Sequence, residues 1–223
     1  MKQKIKLLAT DFDGTLAIYD SYRQSAWNAI AEALGMREED EKLHDAYHKG
    51  EFDIVKWGEL TIELYRQRGL TKDKMAQILS ERMHPSPGAQ MLFKNAKDLG
   101  LHTAIISGGL QNVYELFTKK LEITPDYSFF AHKFLFDTNG LVTKSSLTNN
   151  DYHGKVKVLE GLCDKLGVGY EECAFVGDAI NDIPLFKVVG LPIAINAVND
   201  DVKSAAKIVL KTPDLGKVLE LLR

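Results

Sequence analysis

The chain has 223 residues and a formal net charge of −3, from 28 basic and 31 acidic side chains. Charged residues make up 26% and hydrophobic residues 45%, ordinary values for a globular protein. They exclude a disordered chain, a collagen-like repeat and a disulfide scaffold, and argue against a strongly basic, phosphate-hugging nucleic-acid binder. The length fits one large domain or one and a half small ones. Two cysteines, Cys163 and Cys173, suit a reducing compartment, and one bridge between them would not organise such a fold. The apolar run after Met1-Lys2-Gln3-Lys4 is too short for a signal-peptide core. No stretch approaches the roughly 18 apolar residues of a membrane span. The expectation is a cytoplasmic protein with no membrane or nucleic-acid partner. No signal of oligomeric state is present.

Residues 5–10 form a short apolar run that reads as a buried strand. It ends in the polar turn Asp11-Phe12-Asp13-Gly14-Thr15. From residue 21 to about 82 the spacing turns helical: Ala26, Ile30 and Leu34, then Ile54, Trp57, Leu60 and Leu64. Gly35 and Gly69 stand where helices should stop. This stretch reads as an all-helical insert without strands, with Tyr22, Trp27, Trp57 and Tyr65 packing inside it. His44 and His48, with no third ligand in sight, read as solvated helix residues. His84-Pro85-Ser86-Pro87-Gly88 is the strongest punctuation in the chain.

Beyond it, helix and strand alternate. Residues 91–99 are helical and 102–106 extended, then Ser107-Gly108-Gly109 reads as a turn opening a helix over 113–121. Residues 133–142 read as a hairpin turning at Asn139-Gly140. Helix follows over 155–166, strand over 174–176, short strands over 192–195 and 208–210, and a closing helix over 214–222 with Asp214 as its cap. Repeated strand–helix units predict an α/β fold, an open parallel sheet with helices on both faces. In such sheets ligands bind beyond the carboxyl ends of the strands. The residues to examine there are Asp11, Asp13, Ser107, Gly108, Gly177 and Asp178.

Asp11 and Asp13 follow the first strand, while Asp178 and Asp182, with Asn181 between, follow the strand over 174–176. Where those strands neighbour each other, four carboxylates converge. Two like charges about 4 Å apart repel by roughly 1 kcal/mol in water and roughly 4 at an effective dielectric of 20. A hard divalent cation, Mg²⁺ first, answers that repulsion. The glycines after Ser107 would let a backbone approach an anion. Lys155 opens a helix, where a cation opposes the dipole and calls for an anionic neighbour.

The order Asp11-Phe12-Asp13-Gly14-Thr15-Leu16, Ile105-Ile106-Ser107-Gly108-Gly109, Lys155 and Gly177-Asp178-Ala179-Ile180-Asn181-Asp182-Ile183-Pro184 resembles the haloacid dehalogenase (HAD) superfamily of phosphatases. Within it the chain looks most like the phosphoserine phosphatase branch. The resemblance implies a three-layer Rossmann-like core from residues 1–15 and 85–223. It also implies an inserted helical cap over 16–84, hinged near 17–20 and 85–88. It implies a Mg²⁺-dependent phosphomonoester hydrolase acting on a small phosphorylated metabolite, phosphoserine first among the candidates, through an aspartyl-phosphate. Asp11 would be the nucleophile and Asp13 the acid and base. Ser107, Gly108 and Lys155 would hold the phosphate. Asp11, the Asp13 carbonyl and Asp178 would ligate Mg²⁺, with Asp182 and Asn181 in support. Specificity would rest on cap residues, with Asp20 and Arg23 the candidates; Lys56 and Glu59 stand where that branch carries an arginine. A sugar-phosphate mutase of the same superfamily and a non-catalytic phosphate binder are the alternatives.

Overall fold

The computed structural model describes residues 4–121, 123–147 and 154–222; His153, beside Lys155, lies outside them. The chain opens with β1 (Leu7–Thr10), β2 (Ala17–Tyr19), α1 (Ala26–Ala33), α2 (Arg37–His48), α3 (Ile54–Gln67) and α4 (Lys72–Arg82). There follow β3 (Met83–Pro85), α5 (Ala89–Asp98), β4 (His102–Leu110), α6 (Gln111–Leu121), β5 (Tyr127–Phe136) and β6 (Val142–Leu147). The chain closes with α7 (Gly154–Leu166), β7 (Cys173–Gly177), α8 (Ile183–Phe186), β8 (Leu191–Ala194), α9 (Asp200–Ala205), β9 (Ile208–Val209) and α10 (Gly216–Leu221).

Seven strands make one sheet in the order β6-β5-β4-β1-β7-β8-β9. All neighbours are parallel except β5 and β6. β1 is buried along its whole length, as a central parallel strand must be. After β1 the chain builds outward through β4 and β5, then crosses to β7 on the other side. That makes β1 the switch point in strand order, where a ligand crevice forms. Thr10 pairs with Ile105 of β4 and Val176 of β7. The residues just past all three strands therefore sit side by side.

Helices α1 to α4 form the insert. Ser25, Asp53 and Thr71 cap α1, α3 and α4 through side chains that accept backbone N–H groups. Gly35 and Gly69 take left-handed backbone after α1 and α3, as their positions predict. The insert is not wholly helical at its edges: β2 and β3 pair as a two-stranded antiparallel ribbon where the two crossings to the core lie. The expected hinges 17–20 and 85–88 include or adjoin this ribbon. A three-residue strand has too few positions for alternation to show.

Three other expectations are corrected. Ser107-Gly108-Gly109 is the end of β4 rather than a turn beyond it, and the pairing with β5 shifts register between Ser107 and Leu110. The hairpin strand β5 begins at Tyr127, before the expected start at residue 133, and carries the hairpin into the sheet. The closing helix starts at Gly216; Asp214 lies just before it and accepts the Gly216 N–H at 2.8 Å.

One apolar cluster covers one face of the sheet and runs without a break into the insert, from Leu8 and Phe12 through Trp27 and Tyr65. A second, containing Leu159, Phe175 and Val202, fills the other face. No helix among the described residues is long and apolar enough to cross a membrane.

Candidate active site

The three strand ends meet where the parallel register predicts. Lys155, fully buried at the start of α7, donates to Asp11 Oδ2 and Asp182 Oδ1, each at 2.7 Å. Burial alone would lower its pKa, but the Asp11 and Asp182 charges outweigh it and hold the ammonium well above its usual range. The helix-start lysine thus has the anionic neighbours its position calls for.

Asp182 is completely buried, and both its oxygens are engaged. Oδ1 takes Lys155; Oδ2 accepts the N–H groups of Asp178 and Ala179 at 3.0 and 3.1 Å. Burial pushes its carboxyl up to about 6 against the pull of Lys155. Asp178 sits over Gly14, its Oδ1 accepting from the Thr15 hydroxyl at 2.9 Å. Burial and the Asp182 and Asp11 charges raise its carboxyl well above the usual range. Oxygens of Asp11, Asp178 and Asp182 all lie within 4.8 Å of one another. An all-oxygen, electron-rich cluster, buried at Asp11 and Asp182 and half-buried at Asp178, suits a hard cation. The local backbone makes room for it: a Cβ at Gly14 would stand 2.1 Å from Asp178 Oδ2.

Asp13 lies beside this cluster and differs from it. Its carboxyl is pushed up to about 7 by burial, partly opposed by a hydrogen bond from the Tyr19 hydroxyl and reinforced by the Asp11 charge. Ser107 is buried, and its Oγ accepts the Gly109 N–H at 3.0 Å.

A cavity of about 680 Å³ opens from these residues toward the insert. Asp11, Asp13, Ser107, Gly108, Asp178 and Asn181 line it from the core side. Tyr22, Trp27, His44, Tyr47 and Trp57 line it from the insert, so several residues expected merely to pack there, or to be solvated, form its wall. Tyr65 alone of the expected aromatic set is sealed inside, donating to the Trp27 carbonyl. The two specificity candidates part company. Asp20 points outward, paired with His84 at 2.8 Å, and does not line the cavity. Arg23 does line it, and its Nη1 donates to His44 Nδ1 at 2.6 Å. Burial, Arg23 and His48 lower His44 to about 4, so it is a neutral acceptor at pH 7. Lys56, Arg66 and Arg68 are tied to Glu59, Glu63 and Glu39 on the surface.

Tyr19, His132 and Asn196 stand at the site without having been among the sequence-based expectations. His132 on β5 is buried, lines the cavity and stands edge-on to Trp27; no spacing pattern marks it. Asn196 had a usable signal: it follows the strand β8, where sites form. It donates to the Gly14 carbonyl at 2.9 Å from a left-handed backbone with φ of 52°.

Comparisons with known proteins agree with this geometry. The family model described as haloacid dehalogenase-like hydrolase matches residues 5–190. A phosphoserine phosphatase of Albidiferax ferrireducens is 30% identical, over 97% of this chain and 89% of its own. The phosphoserine phosphatase of Methanocaldococcus jannaschii is 28% identical over the full length of both. A solved structure of a phospho-aspartyl intermediate analogue of phosphoserine phosphatase matches with a TM-score of 0.79 and 26% identity, over 99% of this chain and 100% of that one. The chain belongs to the haloacid dehalogenase-like hydrolase family, on the side of its phosphoserine phosphatase-like branch.

Proposed function

We propose that the chain hydrolyses a small organic phosphomonoester through a phospho-aspartate on Asp11, with Mg²⁺ as its cofactor. The observation that carries this reading is the buried Asp11–Lys155–Asp182 ion triad, set beside Asp13 and Asp178 where three adjacent strands end. Structural ion pairs seldom need a third and fourth carboxylate at the mouth of a cavity. Phosphoserine is the first ester to assay, since the similar proteins are phosphoserine phosphatases and one solved relative is a substrate-bound phosphoserine phosphatase complex.

In the first step a carboxylate oxygen of Asp11 attacks phosphorus, and the bond to the alcohol oxygen breaks. Asp13 gives that leaving oxygen a proton. Its carboxyl, pushed up to about 7, is poised for both giving and taking one near neutral pH. In the second step Asp13 takes a proton from water, the hydroxide attacks phosphorus, and the Asp11 carboxylate departs with its electron pair. Lys155 stays charged throughout and offsets negative charge on Asp11 and the transferring group. Ser107 Oγ and the Gly108 N–H would hold phosphate oxygens. Asp11, Asp178 and the Asp13 carbonyl would hold Mg²⁺, with Asp182 and Asn181 supporting them. The chemistry that Mg²⁺ supplies when bound is withdrawal of charge from the phosphate, so that a carboxylate can approach it. Residues 16–84 would act as a cap whose closure keeps bulk water from the first step. The buried free thiols of Cys163 and Cys173 fit a cytoplasmic setting.

Asp11→Asn tests the reading. Mg²⁺-dependent phosphate release from 4-nitrophenyl phosphate is expected to fall by about a thousandfold or more, while thermal melting stays near wild type. Turnover retained in that variant would sink the mechanism.

A further inference from the structure

We propose that Tyr19 is a positioning residue for Asp13: its hydroxyl occupies one carboxyl oxygen and so commits the other, beside Gly109, to proton transfer. The inference rests on the acid–base reading of Asp13 given above.

The geometry is specific to the ribbon. The Tyr19 hydroxyl donates to Asp13 Oδ1. Tyr19 is only 4% exposed and belongs to the apolar cluster that joins core and insert. Its backbone is fixed on both sides. Tyr19 pairs with Met83 across the ribbon. The Gln24 side chain accepts the Tyr19 N–H at 2.8 Å and donates to its carbonyl at 3.0 Å. A ring held at backbone and side chain leaves the hydroxyl little freedom.

The opposite oxygen faces the segment that would hold phosphate. A Cβ at Gly109 would stand 2.6 Å from Asp13 Oδ2 and 3.2 Å from Ser107 Oγ. A carboxyl carries one transferable proton. With a phenol donating to Oδ1, that proton belongs on Oδ2. There it lies beside Ser107 and Gly109, where the ester oxygen would be. In the first step the proton passes from Oδ2 to the leaving oxygen as the P–O bond breaks and its electron pair moves to that oxygen. In the second step the same Oδ2 recovers a proton from water. Without the hydroxyl the two oxygens become equivalent, and rotation of the carboxyl dilutes the productive arrangement. Tyr19 belongs to the insert and Asp13 to the core. The acid–base group is therefore aligned by the element that covers the site.

The test is the dependence of kcat/KM on the leaving group. This ratio reports steps only through phospho-aspartate formation, so the later attack of water does not enter. An alkyl ester such as phosphoserine has a poor leaving alcohol and needs the proton; 4-nitrophenyl phosphate has a good one and barely does. For Tyr19→Phe, kcat/KM on phosphoserine, or on glycerol 3-phosphate, is expected to fall about tenfold, and on 4-nitrophenyl phosphate less than about threefold. Asp13→Asn should show the same asymmetry, larger. An inactive or misfolded fraction lowers both substrates equally and cannot imitate this. Equal losses on both esters, or none, in Tyr19→Phe overturn the inference when Asp13→Asn is asymmetric. Symmetric losses in Asp13→Asn would instead overturn the acid–base reading, and this inference with it.

Discussion

Gly14 answers to two demands at once. Its φ is +76°, and a Cβ there would lie 2.1 Å from Asp178 Oδ2. The left-handed backbone costs a non-glycine residue roughly 1–2 kcal/mol. The close approach is the stricter demand, because Asp178 is half-buried and its other oxygen is tied to Thr15. Gly14→Ala must move the carboxylate that would hold the cation. The Mg²⁺ concentration for half-maximal activity is expected to rise about tenfold, as when a partner that orients a metal ligand is lost; an unchanged Mg²⁺ titration would refute this. At this scale the sequence exposes charge and spacing but not partners. Asp11, Asp13, Lys155, Asp178 and Asp182 were legible because carboxylates just past buried strands, and a lysine opposing a helix dipole, each need a reason. Tyr19 was not, because its partner depends on how the ribbon folds back over residues 11–15. Asp20 was misleading: a carboxylate seven residues past Asp13 is near the site in sequence, yet it turns outward to His84.

The hairpin β5–β6 is the element that docks the helical insert. Leu70 and Lys72, at the junction of α3 and α4, exchange backbone hydrogen bonds with Val142 and Gly140 of the hairpin at 3.0 and 2.8 Å. Above that seam, Phe134 of β5 meets Trp27 of α1 at 4.8 Å between ring centres and Tyr65 of α3 at 6.0 Å. Phe134 is 1% exposed, and its backbone is bonded both ways by the Asn112 amide. Truncating a buried phenylalanine costs about 3–5 kcal/mol. Phe134→Ala is expected to lose that much stability in urea and to weaken cap closure, seen as a raised KM. A loss below about 1 kcal/mol would mean that the seam contributes little. The long strands and helices here were legible from periodicity and glycine stops. The docking was not: periodicity says which face of a helix is apolar, not whether that face meets its own insert or the neighbouring domain. Spacing alone therefore puts Trp27 and Trp57 in the insert's interior, while they also wall the cavity.

At the scale of the whole molecule, a net charge of −3 conceals a concentrated site. Asp11, Asp13, Asp178 and Asp182 gather around the fully buried Lys155, and the carboxyls of Asp13, Asp178 and Asp182 are all raised. Raised carboxyls mean that folding confines negative charge at a cost, since the unfolded chain would ionise them freely. The same confinement gives a cation its reason to bind the folded chain and not the unfolded one, because only folding brings residues 11 and 178 together. A ligand selective for the folded state stabilises it by about 2.7 kcal/mol at a hundredfold excess over its dissociation constant. For a chain of this size each kcal/mol moves the midpoint by about 2–4 °C, so saturating Mg²⁺ should raise melting by about 5–10 °C. The gain should vanish with chelator and in Asp178→Asn, and NaCl at matched ionic strength should not reproduce it, since screening acts on exposed charges far more than on buried ones. An equal shift with NaCl would show that the cluster responds to bulk salt, and no shift at all would remove the cation from the site.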